Sequence, residues 1–175
     1  MERSQSKQIK LSPVDIQECL DEVKDLFVDR YAKKNIRLDI INKVPPHIQI
    51  NVDRVTFIHS VVSNIVSNAL KFSHPGSEVI ITAHEHQGKV YFNVQDYGIG
   101  MSEKMLSTLF DHDITLTLPG TFGERGSGLG MPLVKSYTEI FGGKVTASSV
   151  TSEHPGTKIT VALPAIESDQ ATIFN

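Results

Sequence analysis

Residues 64–72 read Asn64-Ile65-Val66-Ser67-Asn68-Ala69-Leu70-Lys71-Phe72, and this stretch decides how the rest of the chain is read. Two asparagines four residues apart share one helical face, with Ser60 a turn before them and Lys71 nearly in line after them. The residues between are largely apolar. A polar line on an otherwise buried helix must find partners, because an unsatisfied buried polar group costs about 1–3 kcal/mol. An asparagine oxygen suits a hard cation such as Mg2+, and a lysine one turn on suits phosphate. The plainer alternative is a pair of asparagines bonded within the core or resting on the helix surface.

Working outward, Phe57, Ile58, Val61, Val62, Ile65, Val66, Ala69, Leu70 and Phe72 form a wide apolar stripe. Asp53 opens this helix as N-cap and Ser73-His74-Pro75-Gly76 ends it, so it should be central and well buried. Upstream, Ile9 to Leu11 alternates briefly, and Ser12-Pro13 reads as an N-cap followed by proline at the first helical position. The helix expected there carries Ile16, Leu20, Val23, Phe27 and Tyr31 on one face. Ile36 to Ile41 alternates as a strand, Val44-Pro45-Pro46 closes it, and a short strand from Ile48 to Val52 follows.

Downstream, strands from Val79 to His86 and Lys89 to Gln95 join at Gln87-Gly88 in a tight hairpin. Ser102 starts a short helix through Phe110, and Asp111 to Arg125 is a long loop without a stable period. A third helix follows Gly126 to Gly130, with Leu133, Val134, Tyr137 and Ile140 expected inward and Phe141-Gly142-Gly143 stopping it. Strands from Lys144 to Ser149 and Thr157 to Leu163, joined by Glu153-His154-Pro155-Gly156, complete the chain. Three main helices and several strands give an α/β (α+β) two-layer sandwich, with the helices on one face of a mixed sheet. The domain should span residues 9–164, between short polar ends at 1–8 and 165–175.

Composition sets the class. The 175 residues carry a formal charge of -3, from 17 Lys+Arg against 20 Asp+Glu, and 39% are apolar. A folded core is therefore expected, and the slightly acidic balance argues against nucleic acid as the main partner. Cys19 is the single cysteine, which excludes a disulfide-stapled fold. No apolar run approaches the roughly 20 residues of a membrane span, and no secretory leader is recognisable, so a cytoplasmic location is expected.

Three further segments carry candidate chemistry. Asp96-Tyr97-Gly98-Ile99-Gly100 ends a strand, where a carboxylate can accept from an exocyclic amine such as that of adenine and the glycines permit a sharp turn or close approach. An ordinary Asx-turn is the alternative. Gly126-Ser127-Gly128-Leu129-Gly130 precedes a helix, where free backbone N–H groups favour an anion such as phosphate. Its position and spacing fit neither a dinucleotide fingerprint nor a Walker loop. Gly156-Thr157 opens the last strand and brings a hydroxyl, or simply ends a hairpin.

Taken together, Asn64 to Phe72, Asp96 to Gly100, Phe110, Gly126 to Gly130 and Gly156-Thr157 resemble, in order, the N, G1, F, G2 and G3 boxes of the Bergerat-fold ATP-binding domain. The nearest match is the catalytic domain of bacterial sensor histidine kinases, whose sheet is mostly antiparallel. The resemblance implies ATP and Mg2+ as cofactors, with Asn68 as the magnesium ligand, Asn64 one turn before it and Lys71 on phosphate. It implies Asp96 at the adenine amine, Gly98 and Gly100 allowing close approach, Ile99 and Met101 near the base, and Thr157 beside it. Gly126, Ser127, Gly128, Leu129 and Gly130 would form the phosphate loop, residues 111–125 the lid, and Arg125 a further positive charge.

In hydrolysing members of the wider superfamily a glutamate stands where this chain has Asn64, so the resemblance implies transfer of the γ-phosphoryl group to a histidine. None of the seven histidines has the sequence surroundings of a phosphoacceptor. The implied partners are thus a dimerisation and histidine-phosphotransfer domain outside this chain, and a response-regulator receiver domain. The isolated domain would be monomeric and its parent a homodimer. The segment after Phe110 departs from the family, reading Asp111-His112-Asp113 where a second aromatic and a basic residue are usual. Two other readings therefore stand beside this one: a degenerate Bergerat module kept for protein contacts, and a serine kinase of the anti-sigma-factor type.

Overall fold

The computed structural model describes residues 8–113, 118–124, 126, 128–150 and 155–168. Strand β1 (Ser12–Asp15) leads directly into helix α1 (Ile16–Lys33), and Asp15 is the N-cap, accepting from the Glu18 N–H at 2.9 Å. The cap expected at Ser12-Pro13 is thus three residues early. Ser12 and Pro13 instead pair with Val52 and Asn51 of β3 at the end of the sheet order, where a proline's missing N–H is tolerated. Ile16, Cys19, Leu20, Val23, Phe27 and Tyr31 are buried, as the periodicity predicts.

After β2 (Arg37–Lys43) and β3 (Ile48–Val52) comes the central helix, in three consecutive parts. These are α2 (Arg54–Thr56), a π-helical run (Phe57–Val62) and α3 (Ser63–Phe72). Asp53 caps it as expected, accepting from the Thr56 N–H at 2.9 Å. The π-helical run follows from the spacing of the stripe. Phe57, Val61, Ile65 and Ala69, like Ile58, Val62, Val66 and Leu70, repeat every four residues, and all eight are buried. In a helix of 3.6 residues per turn such a stripe drifts about 40° per repeat. A wider turn, closed by Ser63 N–H donating to the Ile58 carbonyl, takes up that drift and keeps both rows against the core.

Strands β4 (Glu78–His86) and β5 (Lys89–Asp96) form the predicted hairpin. Short helix α4 (Glu103–Thr108) is capped by Ser102, helix α5 spans Gly130–Ile140, and β6 (Lys144–Val150) and β7 (Gly156–Glu167) close the fold. The sheet runs β1-β3-β7-β5-β4-β2, with β6 also paired to β7, and β2–β4 is its parallel pair. Helices cover one face, as expected. Phe57 joins the layers, with ring centroids 5.1 Å from Phe92 and 6.3 Å from Phe141.

Two further expectations are corrected. Strand β7 is longer than predicted: Ala165, Ile166 and Glu167, assigned to the polar tail, pair with Ile50, Gln49 and Ile48 of β3. In α5 the buried face is Met131, Pro132, Val134 and Thr138, whereas Leu133 and Ile140 are 40% and 51% exposed. Leu133, Tyr137 and Ile140 form a rival apolar stripe at the same helical spacing, so periodicity alone could not choose the face.

Candidate functional site

The central helix, the β5 end, the β7 start and the segment before α5 meet around two adjoining cavities. The first is apolar and walled by Ile65, Ala69, Val94, Met101, Met131 and Ile159. One carboxylate, Asp96, stands in it. Asp96 is 6% exposed, and its Oδ1 accepts from Gly98 N–H at 3.0 Å and Thr157 N–H at 3.1 Å. Burial pushes its pKa up to about 6, the two backbone bonds pulling the other way. Thr157 and Gly100 line the same cavity, as do Ile99 and Met101.

The turn after Asp96 is held from behind. Ile99 N–H donates to the Phe72 carbonyl at 3.2 Å, and a Cβ on Gly98 would lie 2.1 Å from that oxygen. The close approach that requires Gly98 is therefore to the end of α3. Ser149 ties the other side: its hydroxyl accepts from Met101 N–H at 2.7 Å, donates to the Gly156 carbonyl and lies 3.1 Å from Thr157 Oγ1.

The second cavity is mixed, with a polar side lined by Asn64, Ser67, Asn68, Lys71, Gly126, Gly128 and Gly130 and methionine and leucine side chains opposite, and it is called the polar cavity below to set it apart from the first. Asn68 and Phe72 border both cavities. The polar line read from the sequence thus does face open space. Asn64 is partly committed: its amide donates to the Ser60 carbonyl at 2.6 Å, and a Cβ on Gly130 would stand 3.1 Å from its Oδ1. Lys71 Nζ lies 4.9 Å from the Phe72 ring centroid, and burial lowers its pKa while Glu124 opposes that shift. Leu129 is half exposed. Arg125 and Ser127, and residues 114–117 of the expected lid, lie outside the described residues.

Sequence reasoning missed a clasp. Lys34, 7% exposed, donates to the Leu70 and Lys71 carbonyls at 2.8 and 3.0 Å and pairs with Glu124 Oε1 at 2.7 Å. Glu124 Oε2 accepts from Phe122 N–H, and Thr121 N–H donates to the Lys71 carbonyl. So the described end of the long loop, 118–124, is docked on the C-terminus of α3. Lys33-Lys34 at the end of a helix looks like ordinary dipole compensation, and nothing local marks its partner 90 residues away. Among the described residues, no cluster of three or more His, Cys, Asp or Glu could hold a metal by itself.

A family profile described as histidine kinase-, DNA gyrase B- and HSP90-like ATPase matches residues 53–167, well over half of the chain. The chain belongs to that family. It is a histidine kinase-like ATPase domain, similar to those of two-component sensor kinases. It is 32% identical over 151 residues to the sensor histidine kinase WalK of Bacillus subtilis, covering 83% of this chain and 24% of WalK. The chain thus spans about a quarter of that relative's length. The mycobacterial sensor histidine kinase MprB superposes with a TM-score of 0.75 at 25% identity, covering 90% of this chain and 99% of that structure. Full-length ShkA in complex with AMPPNP gives 0.74 at 26% identity, over 92% of this chain and 32% of ShkA. The Bergerat-type sandwich expected from the five boxes is the observed fold. Among the described residues no helix is long and apolar enough to cross a membrane.

Proposed function

We propose that this domain binds Mg-ATP and passes the γ-phosphoryl group to a histidine on a dimerisation domain outside the chain, for relay to a response-regulator aspartate. The observation that carries this reading is the pairing of the two cavities: a buried carboxylate in an apolar slot, continuous with a polar chamber bordered by Asn68. The AMPPNP bound to ShkA supports a nucleoside triphosphate as occupant. Asp96 accepts from the adenine amine, while Ile99 and Met101 give the purine apolar contact. Gly126, Gly128 and the start of α5 turn backbone N–H groups toward phosphate.

The donor set fits Mg2+ brought in with the nucleotide. Asn68 offers one neutral oxygen at the border of the cavities, and magnesium usually takes one or two protein ligands, with phosphates and waters supplying the rest. When bound it neutralises charge on the phosphate oxygens. Asn68 holds that ion, Lys71 meets a phosphate oxygen, and Asn64, held to Ser60, shapes the wall. Arg125 and Ser127 remain proposed contacts.

Transfer rather than hydrolysis is supported by the absence of an available base among the described residues of the polar cavity, Asp96 standing in the apolar one. Position 64 is an amide. Glu124 lines the polar cavity, but Lys34 takes one of its oxygens and Phe122 N–H the other. Although burial alone would raise its pKa, the Lys34 hydrogen bond carries it below the ordinary carboxylate value, leaving a poor proton acceptor. Catalysis is then positioning and charge neutralisation.

Titration calorimetry with Mg-ATP tests the site: Asn68→Ala should abolish magnesium-dependent binding, and unchanged affinity would refute the assignment. Labelled ATP with an added acceptor-histidine domain tests the reaction. Acid-labile phosphate on histidine is expected, whereas acid-stable phosphate on a partner serine would favour the anti-sigma-factor type, and no Mg-ATP binding at all a degenerate module.

A further inference from the structure

Helix α1 brings one more charge to the polar cavity. Tyr31 hydroxyl donates to the Val66 carbonyl at 2.7 Å, and Lys34 Nζ donates to the Leu70 carbonyl at 2.8 Å. These bonds, one turn apart on each helix, fix α1 against α3 and set Arg30 at the cavity edge. Arg30 lines that cavity together with Ser67 and Lys71, and is absent from the apolar one. Its Cζ lies 4.9 Å over the Phe27 ring, which orients the stem of an otherwise exposed side chain. Among the described lining residues Arg30 and Lys71 are the cations, and Glu124 is the opposing charge.

Resting on the nucleotide reading above, we propose that Arg30 binds the terminal phosphate of the triphosphate and so makes the site prefer ATP over ADP. The argument is one of position. Asp96 lies in the apolar cavity, which fixes the base end, and the phosphates extend past Asn68 into the polar chamber. A phosphoryl group leaving for another polypeptide must face solvent, and Arg30 is the exposed cation at that rim. A guanidinium presents a fork of donors matching two oxygens of one phosphate, and it keeps its charge at every working pH.

The test is calorimetry of the wild-type chain, Arg30→Gln and Arg30→Lys, each with Mg-ADP and with Mg-AMPPNP. Arg30 is exposed and its side chain rests on the Phe27 ring, so all three proteins should melt at closely similar temperatures. Arg30→Gln should weaken AMPPNP binding by about tenfold or more and leave ADP within about twofold, because a charge-assisted hydrogen bond is lost only with the terminal phosphate. Arg30→Lys should fall between. Equal loss for both nucleotides, or no loss for either, would overturn the assignment of Arg30 while leaving the site intact. Failure of the wild-type chain to bind either nucleotide would overturn the site reading and this one with it.

Discussion

Asp96 carries the most information per residue. Its pKa of about 6 means that the folded chain holds a proton where an ordinary carboxyl, near 3.8, has lost it. For the empty domain this contribution to stability is full below the ordinary value and declines as pH rises from there to about 6. Nucleotide binding has the opposite slope, because the adenine amine donates best to the ionised carboxylate. Affinity for Mg-ATP should therefore be about tenfold weaker at pH 5 than at pH 7.5, as the ionised fraction at pH 5 is about a tenth. Asp96→Asn should be weaker by about 10- to 100-fold at pH 7.5 and should lose the carboxylate part of the pH dependence. The phosphates titrate equally in both proteins, so the difference between the two calorimetric profiles isolates Asp96. A wild-type profile parallel to that of Asp96→Asn would remove the carboxylate from the adenine contact.

At the scale of elements, the contacts of α3 explain both what was legible in the sequence and what was not. The Asn64, Asn68 and Lys71 line, the caps at Asp53 and Ser102, and the Gln87-Gly88 hairpin follow from local rules, and each stands where those rules put it. Strand β1 and the face of α5 were misread because local signals had two solutions there. Pro13 suits a first helical turn or an edge strand equally, and α5 carries two apolar stripes; tertiary pairing decided both. The clasp was invisible for a related reason, since it joins Lys34 to Glu124 across 90 residues. Lys34→Met should strand the Leu70 carbonyl and Glu124 Oε1, costing about 1–3 kcal/mol in urea unfolding, while the Lys71 carbonyl keeps Thr121 N–H. Hydrogen exchange at the Thr121 and Phe122 amides should speed up more than in the sheet, and unchanged exchange would deny the clasp its role. Gly98→Ala, with its Cβ driven against the Phe72 carbonyl, should cost about 1–3 kcal/mol by the same measurement and displace the turn after Asp96.

For the whole molecule, the sheet acts as a platform whose strand ends β5 and β7 deliver Asp96 and Thr157, while the central helix delivers the amides and Lys71 from the other layer. A nucleotide bound as proposed would bridge the two layers, which are otherwise joined by apolar packing such as Phe57 on Phe92. Ligand binding to the native state alone stabilises by about 2.7 kcal/mol at 100 times Kd. For a chain of this size that corresponds to a rise in Tm of about 5–10 °C. The shift should require both magnesium and an adenine nucleotide, because one closes the polar cavity and the other the apolar one. Guanine nucleotides, which present a carbonyl where adenine presents its amine, should give little shift, since that oxygen would meet the Asp96 carboxylate unpaired. Equal stabilisation by Mg-GTP in differential scanning calorimetry would mean that Asp96 does not read the base, and the two-cavity account of the site would fail with it.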